Sequence, residues 1–142
     1  MNWLLDTCVL SELANTEPDN AVVSWINARS EDDLFLSVLT LGEIERAIAK
    51  LPALERRAEL ESWLRTELAN RFQGRLLAVD AGVAELWGAI FEAAEAKGTP
   101  FSLIDSLIAA TSVHHGMTIA TRNVEELERC GARCVNPWRH AG

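Results

Sequence analysis

Three acidic residues stand out by the company they keep. Asp105 is the only formally charged side chain in the run GTPFSLIDSLIAATSVHHGMTIAT, which extends from Gly98 to Thr121. Asp6 is the only one between Met1 and Ser11, directly after Trp3, Leu4 and Leu5, and Glu43 follows the uncharged stretch LFLSVLTLG. An ionised carboxylate in a segment apolar enough to be buried needs a partner, a metal ion or a shifted pKa. Carboxylates gathered without a cation repel one another and raise at least one pKa. Hard oxygen ligands select Mg²⁺ or Mn²⁺ over zinc. A centre of that kind makes a nucleophilic water at neutral pH and stabilises the charge that develops in phosphodiester cleavage.

Each acid also has a purely structural reading. Asp6 caps the helix that follows it, Asp105 lies three residues after Ser102 in a capping-box-like relation, and Glu43 is a solvated helix residue beside Glu45 and Arg46. Capping explains an acid at a helix rim. It does not explain why Asp6 and Asp105 are the sole charges in long apolar tracts, so the expectation is that the fold brings the three acids into one pocket.

Other chemistries find less support. The chain contains no GxxxxGK[ST] or GxGxxG phosphate-binding pattern, no HExxH and no GxSxG elbow. His114 and His115 are adjacent, so on a helix they are expected to point apart and not to form a paired ligand set; both are read as helix-end residues. Asp6-Thr7-Cys8 has the start of a phosphatase aspartate loop without its second acid. Cys130 and Cys134 lack a second pair to complete a zinc site, and the three cysteines read as reduced, incidental thiols. Trp25, Trp63, Trp87 and Trp138 are assigned to the core or to subunit contacts.

The elements that must position the acids follow from periodicity and caps. Asn2–Leu5 reads as a buried strand with Asp6 and Thr7 at its carboxyl end, leading into a helix to Leu13. Pro18 opens a second helix with Val22, Val23 and Ile26 as its buried stripe. Leu34–Leu36 is a strand, and Ser37 caps a helix carrying Leu41, Ile44, Ile48 and Leu51. Pro52 starts a long amphipathic helix with Leu60, Trp63, Leu64 and Leu68 on one face, ended by Gly74. Leu76–Val79 is a strand and Asp80 caps a helix that Gly98 terminates. Ser102 caps an apolar helix to about His115, Gly116 precedes the strand Met117–Ala120, Asn123 caps a short helix through Cys130, and Arg133–Val135 is the last strand. Strands alternating with helices predict an α/β fold, a mainly parallel central sheet flanked by helices. In such sheets ligands sit outside the carboxyl ends of the strands, where Asp6 and Thr121-Arg122-Asn123 fall.

The chain of 142 residues fits one domain, 1–142, with 49% hydrophobic and 24% charged residues and no repeat or low-complexity tract. Its longest uncharged stretch falls short of the roughly 20 residues a membrane-spanning helix needs. The amino terminus lacks a basic region and Asp6 interrupts its apolar run, so no secretory signal is expected and the cytoplasm is the default compartment. With a net charge of −8, bulk electrostatic coating of nucleic acid is disfavoured, and contact with nucleic acid requires a local basic patch or bound cations. The acidity suits a basic protein partner.

Four segments, LLDTCVLSEL at 4–13, SVLTLGEIERAI at 37–48, DSLIAATSVHHGMTIATRN at 105–123 and VNPW at 135–138, together resemble PIN-domain ribonucleases of the VapC and FitB toxin type, from bacterial toxin–antitoxin pairs. They appear in the family's order over nearly the whole chain. The resemblance implies a Mg²⁺- or Mn²⁺-dependent endoribonuclease, held inactive by a cognate antitoxin and assembled as a homodimer for which the helix from Pro52 offers a surface. Carried over by position, Asp6, Glu43 and Asp105 correspond to the family's acidic metal-site residues, with Asp6 and Asp105 as ligands and Glu43 as ligand or water-orienting base. Many relatives place an aspartate where this chain has Asn123, which offers a carbonyl or orients a water; Glu126 matches a second acidic position. Thr7 and Thr121 are expected to hydrogen-bond the acids or a water and Arg122 to contact a phosphate, against a cap for Thr7 and a surface charge for Arg122. By analogy the products carry 5′-phosphate and 3′-hydroxyl ends, and an antitoxin Arg or Lys occupies the acidic pocket.

Two further readings stand beside this one. The first is a catalytically weak PIN-fold binding module that mainly pairs with a partner protein, its chemistry lost because Asn123 replaces an acid. The second is a general metal-dependent phosphatase or DNA nuclease.

Overall fold

Asp6 accepts a hydrogen bond from the Thr7 N–H at its own helix start, and this cap is where the first strand becomes the first helix. The computed structural model of the protein describes residues 1–99 and 101–139. Strand β1 (Trp3–Leu5) leads into α1 (Thr7–Leu13) and α2 (Asn20–Asn27), then β2 (Leu34–Ser37), α3 (Val38–Ala49), α4 (Leu54–Ser62) and a short α5 (Ala69–Arg71). After β3 (Leu76–Leu77) come α6 (Ala81–Ala96), α7 (Leu103–His115), β4 (Thr118–Ala120), α8 (Val124–Arg129) and β5 (Arg133–Val135).

The five strands form one wholly parallel sheet in the order β3-β2-β1-β4-β5. Leu4 is the register point at its centre, opposite Phe35 on one side and Ile119 on the other. Alternation along the strands divides the core in two. Leu5, Leu34, Leu36 and Ala120 face α1 to α4, together with buried Trp25, Ile44 and Phe72. Leu4, Phe35, Ile119 and Cys134 face α7 and α8, together with Ile108, Ala109 and Leu127. Near-continuous apolar strands are the signature of a parallel sheet covered on both faces. The helices before β3 lie on one face and those after it on the other, so the winding reverses at β1 and β4 and leaves a crevice beyond their carboxyl ends.

Local chemistry sets most boundaries as expected. Ser37 accepts from Leu39 N, Asp80 from Val83 N and Ser102 from Asp105 N, each capping its helix, and Gly116 closes α7 with φ 66°. Helix α7 is buried along much of its length. Its Ser106, Thr111 and Ser112 hydroxyls are satisfied by donating to the carbonyls of Leu103, Leu107 and Ala109. Trp87 Nε1 donates to Ser106 Oγ at 3.0 Å and ties α6 to α7.

Three expected elements differ in detail. Pro18 lies before α2, whose cap is Asp19. The helix expected from Pro52 begins at Leu54 and is interrupted by a wide, π-helical turn over Trp63–Leu68, which sets Leu64 and Leu68 into the core. At the sheet edge only Leu76 and Leu77 pair, because β2 offers a partner on one side alone.

Candidate metal centre

Asp6, Glu43 and Asp105 line one cleft of about 420 Å³ at the reversal of the sheet. Asp6 arrives at the end of β1, its own N–H still paired with Ala120 O at 3.0 Å. Glu43 arrives on the second turn of α3, and Asp105 on the first turn of α7. The capping readings and the pocket reading therefore coexist: Asp6 caps α1 with one oxygen and presents to the cleft as well.

Threonines hold two of the acids. Thr121 is fully buried and donates from Oγ1 to Asp6 Oδ2 at 2.7 Å, while its oxygen accepts from Asn123 N at 2.9 Å. Thr7 Oγ1 donates to Glu43 Oε1 at 2.5 Å and also reaches Thr40 Oγ1 at 3.3 Å. Thr7 begins α1 and Thr40 lies in α3, so this contact fixes the two helices around the cleft mouth.

Asn123 stands at the start of α8 without capping it through its side chain. It does not turn a carbonyl to the cleft: Nδ2 donates to Asp105 Oδ2 at 3.3 Å and to Glu126 Oε2 at 3.2 Å. Two facing carboxylates leave the amide's donor end as the stable orientation. Glu126 is thereby joined to the cluster through Asn123.

Electrostatics record the crowding. Asp105 is pushed up to about 6, first by burial and then by the charges of Glu126, Asp6 and Glu43. Asp6 is raised by burial, against the lowering effect of its hydrogen bonds from Thr121, Thr7 and Cys8. Crowded, desolvated carboxylates are hard oxygen donors and fit a hard divalent cation, which removes both costs at once. Asp6, Asp105 and Glu43 are the carboxylates of this cleft that could hold one.

Two residues, one at the cleft and one behind Arg122, carried little signal in the sequence. The Cys8 Sγ lies 3.8 Å from Asp6 Oδ2 and accepts from Arg122 N at 3.5 Å; burial and then Asp6 push its thiol up, so it stays neutral. Glu12, the one acid of α1, accepts from Trp138 Nε1 at 3.1 Å and pairs with Arg122 at 3.6 Å. The guanidinium of Arg122 lies 4.0 Å from the Trp138 ring centroid. Arg122 and Asn123 also line an adjoining groove of about 650 Å³, to which Arg139 contributes. The groove thus sets two guanidiniums, with Glu125 among them, beside the carboxylate cleft. The Glu12 position is legible in hindsight as a lone acid late in an apolar helix; Cys8 has no such mark.

His114 and His115 do not point apart. Their rings sit 5.0 Å apart, edge to face, and ligand atoms of both lie within 4.8 Å of each other and of one from Asp80. At the last turn of a helix both imidazoles are long enough to curl toward the neighbouring helix, which the spacing of their Cβ atoms does not anticipate. No helix among the described residues is long and apolar enough to cross a membrane.

Comparison with known proteins places this geometry in context. Residues 3–131 match the PIN domain family. The chain is 36% identical to VapC ribonuclease Y4jK of Sinorhizobium fredii, covering 97% of this chain and 99% of that one. It is 32% identical to toxin FitB of Neisseria gonorrhoeae, covering 95% and 97%. Among solved structures, FitAcB from Neisseria gonorrhoeae superposes with a TM-score of 0.91 at 31% identity, covering 97% of this chain and 99% of that one.

Proposed function

The chain belongs to the PIN-domain family, and from that premise we propose that it is the toxin of a toxin–antitoxin pair, an endoribonuclease that hydrolyses RNA phosphodiester bonds with Mg²⁺ or Mn²⁺. The observation that carries this reading is the convergence of Asp6, Glu43 and Asp105, from three separate parts of the chain, on one cleft. The likeness to VapC ribonuclease Y4jK and to toxin FitB supports the activity and the toxin role.

In this reading Asp6 and Asp105 hold the cation and Glu43 completes the set or orients water. The bound ion supplies charge neutralisation and an acidified water. Everything else is done by the chain. Thr121 keeps Asp6 turned into the cleft, Thr7 keeps Glu43 there, and Asn123 ties Asp105 to Glu126 by donating to both. Arg122, steadied by Glu12 and Trp138, meets a phosphate of the strand at the cleft mouth. An antitoxin segment bearing Arg or Lys fits the same acidic opening. A homodimer through the α4 side belongs to the same proposal; Leu54 there is 76% exposed.

The test is cleavage of structured RNA by the purified chain in EDTA, Mg²⁺ and Mn²⁺, with Asp6→Asn and Asp105→Asn compared at equal fold content. Cleavage should require the cation and fall on the order of 10²-fold or more in each variant, the scale of losing one preorganised electrostatic group. Cleavage that ignores EDTA, or survives both substitutions, would refute the proposal. RNA binding without cleavage under every cation would favour the binding module.

A further inference from the structure

The geometry points to a second cation site, distinct from the carboxylate cleft, in which Asp80, His114 and His115 bind a borderline divalent cation of the zinc class at the junction of α6 and α7. The three residues are exposed, and their ligand atoms lie within 4.8 Å of one another. Two imidazoles and a carboxylate form the nitrogen-rich donor set that suits zinc, cobalt or nickel, with solvent completing the coordination. The cleft around Asp105 has no imidazole, so the two sites sort cations by ligand chemistry.

The ligands are held in place without the ion. Asp80 caps α6, accepting from Val83 N at 3.0 Å through Oδ1, which leaves Oδ2 for a ligand role. His114 lies over the first turn of α6 because residue 82 is glycine. A Cβ there would fall 2.7 Å from His114 Nε2. Gly82 thus acts as the cradle for one ligand. The histidines close α7, where the negative end of the helix favours a cation, and Asp80 offsets the positive end of α6.

The experiment is a titration of the full chain with Co²⁺ and Zn²⁺ in excess Mg²⁺, read by Co²⁺ visible absorption, by Zn²⁺ calorimetry and by melting temperature. The wild type should take up about one equivalent of Zn²⁺, as a single site requires, and melt higher for it. H114A/H115A should lose the event, and D6N/D105N should keep it. The sharper variant is G82A, which keeps all three ligands. Alanine at an early helix position supports α6 as well as glycine or better, so the metal-free protein should melt no lower, while the added methyl displaces the His114 ring and weakens Zn²⁺ about 10-fold or more. Absence of Zn²⁺ uptake by the wild type, persistence in H114A/H115A, loss in D6N/D105N, or unchanged affinity in G82A would each overturn the assignment.

Discussion

Asn123 Nδ2 donates a hydrogen bond of 3.3 Å to Asp105 Oδ2. The same amide reaches Glu126 Oε2, so one neutral residue bridges two acids that also meet each other directly. Replacing it with a third acid changes the charge and little of the shape. Asn123→Asp should lower the melting temperature of the metal-free protein at neutral pH by roughly 2–5 °C, the scale of 1 kcal/mol in a domain of this size. Saturating Mn²⁺ should erase the deficit, which differential scanning calorimetry with and without EDTA would reveal; a variant as stable as wild type in EDTA would contradict the crowding described here.

The raised carboxyl of Asp105 makes metal-free stability fall as pH rises. Between its ordinary value of 3.8 and about 6, the folded protein holds a proton that the unfolded chain has released. Stability is therefore greatest at the acidic end of that window and declines through about pH 6, with Asp6 acting in the same direction. Mn²⁺ competes with the same proton, so its affinity should climb over this range and level off above it. Urea titrations in EDTA and Mn²⁺ calorimetry at several pH values check the two trends together.

Thr121 is the polar residue on which two others depend. Thr121→Val removes the donor to Asp6 and the acceptor for Asn123 N while preserving volume. Stranding those partners should cost about 1–3 kcal/mol in urea unfolding. Asp6 would lose its strongest opposing influence and rise further. Thr121→Ser, which retains the hydroxyl, should recover most of the loss.

Arg122 is exposed, and its pair with Glu12 adds little to stability. Arg122→Ala should leave unfolding nearly unchanged yet weaken RNA binding across all sequences, with the slope of log affinity against log salt reduced by about 1. The rise belongs in KM and not in kcat. Equal binding by the variant over a salt series would remove Arg122 from the RNA path.

Much of this architecture is legible in the sequence because its determinants are local. Ser37, Asp80 and Ser102 announce helix starts by side chains that bond the backbone two or three residues on, and Gly116 announces a helix end by its left-handed φ. The acids at 6, 43 and 105 are legible by the apolar tracts around them. What depends on tertiary packing is not. The wide turn at Trp63–Leu68 arises where two leucines must meet the core, and the brevity of β3 from having one neighbour. The turn of Asn123 toward Asp105 follows from carboxylates that converge only in the folded chain, and the meeting of His114 with Asp80 from a missing side chain at Gly82 on another helix.

The placement of β1 beside β4 has a temporal consequence. Leu4 finds Ile119 and Leu5 finds Ala120 only after most of the polypeptide has been synthesised. A nascent chain arrested before that point already carries Asp6 and Glu43 but has neither the strand that anchors the first nor the threonine that orients it. On the proposed function, cleavage would thus be withheld until translation is nearly finished, so fragments released from stalled ribosomes should be inert.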